Sequence, residues 1–148
     1  MSGLAEHAGS GLAAELLLAT IRLRARLRAE QTSLTSGQSM SQLSALGRLA
    51  DVGPVTTTEL AALEHVRQQS MAETVAALRV AGLVEAVPDV RDRRRMLLTI
   101  TDSGRELVES VLRHRAAWLS EAIDSRLSSE ETELLAAACP LIARLAEA

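Results

Sequence analysis

Three times in this chain a hydroxyl residue stands three places ahead of Glu or Gln at the head of a Leu- and Ala-rich run: Ser39–Gln42, Thr56–Glu59 and Ser128–Glu131. This spacing is a capping box. The hydroxyl accepts from the amide at the third helical position, and the longer side chain reaches back to the cap amide, so each box fixes where a helix begins. The stops are equally legible. Gly53-Pro54 ends the first of these helices, and Gly82 suits a left-handed C-terminal cap for a later one. Composition agrees, because the 148 residues include one Trp and no Phe or Tyr. Leu and Ala must therefore fill the core, and both favour helix. A hydrophobic fraction of 47% is too high for a disordered chain.

Residues 1–10 read as a flexible tail. From Leu12 to Glu30, the residues Leu12, Leu16, Ala19, Leu23 and Leu27 recur at helical spacing and form one apolar face. Arg22, Arg24, Arg26 and Arg28 alternate as on a strand. The run is too long and too rich in Leu and Ala for one, so they read as solvated surface or salt-bridge partners. A loop is expected over 33–39. The helix opened by Ser39 carries Leu43, Leu46 and Leu49. The Thr56 box opens a short helix from Glu59 to Glu64, a turn follows at His65-Val66, and another helix runs from about Gln68 to Ala81. Met71, Val75 and Leu78 are its expected buried stripe. Leu83–Val87 and Met96–Thr101 have strand character and enclose a charged segment, which predicts a β-hairpin with a long tip. Thr101 or Asp102 caps a long helix to about Arg126, with Val108, Leu112, Leu119 and Ile123 inward. The last helix starts at the Ser128 box, and Pro140 is expected to kink it.

The fold class is therefore mostly α with a small β-hairpin wing: a winged helix-turn-helix flanked by further helices. In a helix-turn-helix the first helix braces the second across the major groove of DNA. The face opposite Met71, Val75 and Leu78 carries Gln69, Glu73 and Ala76, flanked by Gln68 and Ala72. A Gln amide pairs with adenine and a carboxylate accepts from cytosine N4. Arg67 and the helix N-terminus suit phosphate. The net charge of -3 alone argues against a nucleic-acid partner, but its distribution does not. Residues 102–148 hold nine acids against five Arg, while the hairpin tip concentrates Arg91, Asp92, Arg93, Arg94 and Arg95.

From Ser39 to Glu109 the chain resembles the MarR family of winged-helix regulators. Gly53-Pro54-Val55-Thr56, Glu59-Leu60-Ala61, Gly82-Leu83-Val84, Asp92-Arg93-Arg94, Leu98-Thr99-Ile100-Thr101 and Gly104-Arg105 follow the family's order and spacing. The resemblance implies a homodimer built from 11–38 and 102–148, with 39–101 as the DNA-binding region. It implies that Arg94 enters the minor groove of double-stranded DNA with its guanidinium held by Asp92. It also implies a repressor that occupies a palindromic operator and is released by a small-molecule effector. The chain departs from the family pattern at Arg67, Glu73 and Met96, which points to an operator of its own. A helical protein-interaction module is the alternative, and a hairpin with four Arg weighs against it.

No phosphate loop, nucleophile elbow or metal-ligand spacing is present, so neither an enzyme nor a cofactor is expected. His7, His65 and His114 lie far apart without companion cysteines, and no metal is expected. Cys139 reads as a buried, inert thiol and Trp118 as core or interface filler. No signal peptide or membrane span is evident, so a cytoplasmic location is expected.

Overall fold

The computed structural model describes residues 2–30 and 37–147, and only the backbone of 2–10. Six helices and one hairpin follow in order: α1 (Ser2–Ala29), α2 (Met40–Val52), α3 (Thr57–Leu63), α4 (Gln68–Val80), β1 (Val84–Pro88), β2 (Met96–Ile100), α5 (Asp102–Arg126) and α6 (Ser129–Ala146). The expected fold class is observed. Residues 2–10 of the expected tail are helical, and α1 begins ten residues before its first apolar anchor, Leu12. Ala, Leu and Glu supply enough helix propensity to carry the backbone through Gly3 and Gly9. The expected loop lies, for residues 33–36, outside the described residues.

All three capping boxes form. Ser39, Thr56 and Ser128 each accept from the amide three residues on, and Gln42, Glu59 and Glu131 each reach back. The end of α4 is a complete Schellman motif. Gly82 takes φ 72°, its amide donates to the Arg79 carbonyl at 3.0 Å, and the Leu83 amide donates to the Leu78 carbonyl at 3.0 Å. The end of α3 repeats the motif with His65 at φ 53° in the glycine position. The His65 and Val66 amides donate to the Ala62 and Ala61 carbonyls. Histidine tolerates the left-handed region better than most side chains, but sequence alone does not announce a cap of this kind.

The chain divides into two compact units, residues 1–112 and 113–148. The core of the first unit is Ala45, Leu46 and Leu49 of α2, Leu60 and Ala61 of α3, Met71, Val75 and Leu78 of α4, and Leu83, Val84 and Leu98 of the hairpin region. The predicted stripe of α4 is therefore buried as expected. β1 and β2 are antiparallel, with Val84 opposite Ile100 and Pro88 opposite Met96. Val55 adds a one-residue bridge to the free edge of β2: its amide and carbonyl exchange bonds with Leu98, at 3.4 and 2.8 Å. The sequence reading missed this bridge, because one residue has no periodicity to read.

Thr101 joins the root of the hairpin to α5. Its amide donates to the Leu83 carbonyl at 3.1 Å and its hydroxyl to the Gly82 carbonyl at 2.7 Å. That hydroxyl also accepts from the Gly104 amide at 3.1 Å. Gly104 is buried where α5 crosses the hairpin root. A Cβ there would run into the Leu83 carbonyl oxygen and stand 2.8 Å from Ile100 Cγ1. This close approach sets the inner face of α5: Gly104 and Val111 are buried, Leu107 and Val108 pack against the core, and Leu112 is exposed. The expected inward Leu112 is thus one helical position off, and Val111 takes its place.

On α1, Leu16 and Leu27 are half-buried, while Leu12, Ala19 and Leu23 of the same expected face are exposed, as are Leu17, Leu18 and Ile21. Arg26 pairs with Glu30 one turn on. In the second unit, α6 runs through Pro140 as one helix and buries no residue. Leu134, Leu135, Leu141, Ile142 and Leu145 are exposed on it. Cys139 is also exposed, which corrects the expectation of a buried thiol. Trp118 is half-buried. Among the described residues no helix is long and apolar enough to cross a membrane, and no three His, Cys, Asp or Glu side chains converge as a metal site.

Candidate nucleic-acid interface

The turn between α3 and α4 sets the start of α4. Arg67 is its N-cap with extended φ and ψ, and its side chain makes no cap bond. The first amides of α4 are therefore open on that side. Gln69, Ala72, Glu73 and Ala76 are all exposed on one continuous surface of the helix. The orientation expected for them follows from burial of Met71, Val75 and Leu78 on the other side. Gln68 is exposed too, but its amide Nε2 donates to Thr58 Oγ1 of α3 at 2.9 Å. It links two helices, a role the sequence did not suggest.

α3 is held from its other end by α2. The Ser44 hydroxyl donates to Glu64 Oε2, and Arg48 Nε donates to Glu64 Oε1 at 3.0 Å. The Glu64 side chain is only 12% exposed, so this bracket is partly shielded from water. It fixes the bracing helices beneath α4.

At the hairpin tip two aspartates shape the backbone. Asp89 Oδ1 accepts from the Arg91 amide at 2.9 Å, and Asp92 Oδ1 accepts from the Arg94 amide at 3.0 Å. These are Asx turns, in which a short carboxylate replaces a backbone acceptor. The Asp89 amide donates to the Arg95 carbonyl, and the Arg95 amide to the Asp92 carbonyl, both at 2.9 Å. Asp92 therefore grips the backbone of Arg94, which corrects the expectation that it holds the guanidinium. Among the described residues, the guanidinium groups of Arg91, Arg93 and Arg94 have no ion-pair partner, and all three side chains are exposed.

Arg95 behaves differently. Its Nη2 donates to Glu59 Oε1 of α3 at 2.7 Å, and its Nη1 lies 3.9 Å from Asp89 Oδ2. Glu59 also accepts from the Thr56 amide at 2.7 Å and from the Thr56 hydroxyl at 3.0 Å. The Thr56 amide, then its hydroxyl, then the Arg95 charge hold the Glu59 carboxyl below its ordinary value of 4.5. A carboxyl depressed in the folded state contributes stability above its unfolded value and loses it as pH falls through the folded one. Glu59 is thus expected to stay ionised through pH 4.5, and its protonation in stronger acid releases both the α3 cap and Arg95. An NMR titration of the Glu59 carboxyl checks this; a midpoint at or above 4.5 contradicts it.

Sequence reasoning placed the outer face of α4 and the charged hairpin tip at the surface, and the residues of both are exposed. It read Glu59 as a helix cap alone, because its second partner lies 36 residues away.

The sequence pattern of the MarR family matches residues 36–95. An uncharacterized HTH-type transcriptional regulator of Mycobacterium bovis is 39% identical over 136 residues, which span 92% of this chain and 93% of the relative. The crystal structure of a putative transcriptional regulator from Pseudomonas aeruginosa is similar with a TM-score of 0.79 and 32% identity, covering 96% of this chain and 97% of that one. A MarR family protein from Bacillus stearothermophilus shares the fold at TM-score 0.82 and 20% identity, over 97% and 98% of the two chains. With its winged helix-turn-helix, a family match over residues 36–95 and a 39% identical HTH-type regulator aligned along 92% of its length, the chain belongs to the MarR family of DNA-binding transcriptional regulators.

Proposed function

We propose that this regulator is a repressor that binds a palindromic operator as a homodimer. The observation that carries the proposal is the hairpin tip: three exposed guanidinium groups with no ion-pair partner among the described residues, on a backbone fixed by two Asx turns. Gln69, Ala72, Glu73 and Ala76 would face base edges in the major groove, with Arg67 at phosphate. Arg91, Arg93 and Arg94 would reach the backbone and the adjacent minor groove. Twofold pairing would place two such heads about one helical turn apart.

The apolar residues exposed on α1 and those exposed on α6 support the dimer, since each set stands open to solvent among the described residues. Release by a small effector is part of the same proposal. A cleft of about 310 Å³ is lined by Arg24 of α1, Met40 and Ser44 near the start of α2, Glu64, and Ser70 and Thr74 of α4. Two of those residues belong to the helix that reads DNA. A ligand whose contacts differ between two positions of α4 would therefore shift the DNA equilibrium by linkage.

Fluorescence anisotropy on a duplex from the neighbouring intergenic DNA, with sedimentation analysis of the protein, tests the proposal. Tight binding by a dimer is expected at about 50 mM salt, falling on the order of 10³-fold at about 200 mM as the entropy gained from counterion release shrinks. No binding at the lower salt favours an interaction module instead, and a monomer in sedimentation removes the twofold operator.

A further inference from the structure

Two residues beside the reading surfaces are already engaged, and both engage the first turn of α3. Gln68, the first residue of α4, donates to Thr58. Arg95, the last residue before β2, donates to Glu59. Thr58 and Glu59 are adjacent in α3, so one helical turn holds the start of the recognition helix and the outer end of the wing together. We propose that this turn is a positioning hub. Thr58 and Glu59 set the spacing between α4 and the wing, and Gln68 and Arg95 are its tethers, not readers of DNA.

The position of Arg95 along the hairpin gives the tether its leverage. A two-stranded hairpin is marginally stable by itself and bends readily. The root of this one is stitched by Thr101, and the Val55 bridge pins β2 at Leu98, its middle residue. The outer end at Met96 lies two residues beyond that bridge, roughly 7 Å at about 3.3 Å per residue, and the tip extends further. A rotation about the bridge is amplified toward Arg91, Arg93 and Arg94. Arg95 restrains the hairpin at that outer end, where Asp89 also faces it. Glu59 is itself fixed by three contacts, two with Thr56 and one with Arg95, so it is a rigid anchor.

The ion pair is half exposed, with side chains 47% and 48% accessible, so its free energy alone is small. Its effect is on geometry, and a dimer would use it twice. The proposal rests on the DNA-binding function, and two measurements separate its failure from a failure of that function. The first needs no DNA. Glu59→Gln keeps an amide able to close the capping box but removes the carboxylate that holds Arg95. In the free full-length protein, ¹⁵N relaxation and amide exchange of residues 89–95 should show a looser tip in Glu59→Gln and in Arg95→Met. A tip unchanged in both variants overturns the hub.

The second measurement uses the intergenic duplex over a salt series. Each single variant is expected to lower affinity about fivefold, a factor of two to three per wing. The double variant should lose no more than either single one, because both break the same tether. The slope of log affinity against log salt should keep its wild-type value. Additive losses overturn the proposal. So does a slope reduced by nearly 2 in Arg95→Met, since that marks Arg95 as a phosphate contact in each wing. On the α4 side, Thr58→Val and Gln68→Leu should weaken binding equally across operator variants. A change of preferred base in Gln68→Leu alone assigns Gln68 to base reading and defeats that arm.

Discussion

Gly104→Ala is expected to destabilise the protein by about 3 kcal/mol, the upper end for overpacking a closely fitted site. The added methyl meets the Leu83 carbonyl oxygen, which is backbone, and Ile100 Cγ1 at 2.8 Å. A flexible side chain can swing away, but the carbonyl cannot, because it accepts from the Thr101 amide at 3.1 Å. Relief requires α5 to lift from the hairpin root, which opens the Thr101 node and uncovers Val84 and Leu98. Gly47→Ala supplies the contrast. It also adds a methyl inside a helix, but nothing lies within 4 Å of the new atom. That change is expected to stabilise by about 0.5–1 kcal/mol through helix propensity. Urea denaturation should move the two midpoints in opposite directions with similar m-values. A neutral Gly104→Ala would mean that α5 does not sit on the hairpin root as described.

Arg94→Ala is expected to reduce operator affinity about 100-fold while leaving the fold untouched. The guanidinium has no ion-pair partner within the described protein, so its removal deletes no internal bond. Its backbone amide still donates to Asp92, and the tip keeps its turn. Against DNA, each lost charge-assisted contact costs about 1.4 kcal/mol, a factor of ten, and a dimer loses two. The salt slope should fall by about 2 units, nearly one per wing. Arg94→Lys should recover the slope but not all the affinity, because an ammonium lacks the planar fork. Unchanged affinity in Arg94→Ala would remove the wing from the interface.

What could be read in the sequence was whatever has a local cause. The capping boxes at Ser39, Thr56 and Ser128 lie within four residues, and each fixed a helix start correctly. The stripe of Met71, Val75 and Leu78 is periodic, and burial followed it. The pairing of β1 with β2 follows from two strand-like runs around a charged tip. What failed depends on distant partners. Nothing near Gly104 reveals that a carbonyl from the hairpin root presses on it, so Leu112 reads as inward where Val111 is buried, while Val108 packs against the core as expected. Nothing near Gln68 or Arg95 reveals Thr58 or Glu59, so their bonds to α3 are not legible in the sequence. Cys139 was judged by its apolar neighbours, yet α6 buries none of them within the single chain.

The wing presents its positive charge through guanidinium groups alone, and all 16 basic residues of the chain are arginines. Their proton affinity is so high that no physiological change in acidity neutralises them. Lysine acetylation, the common enzymatic route for erasing charge on DNA-facing proteins, finds no side-chain amine in this chain to modify. The cell's remaining means of weakening the grip are to move the arginines, mask them, or add negative charge nearby.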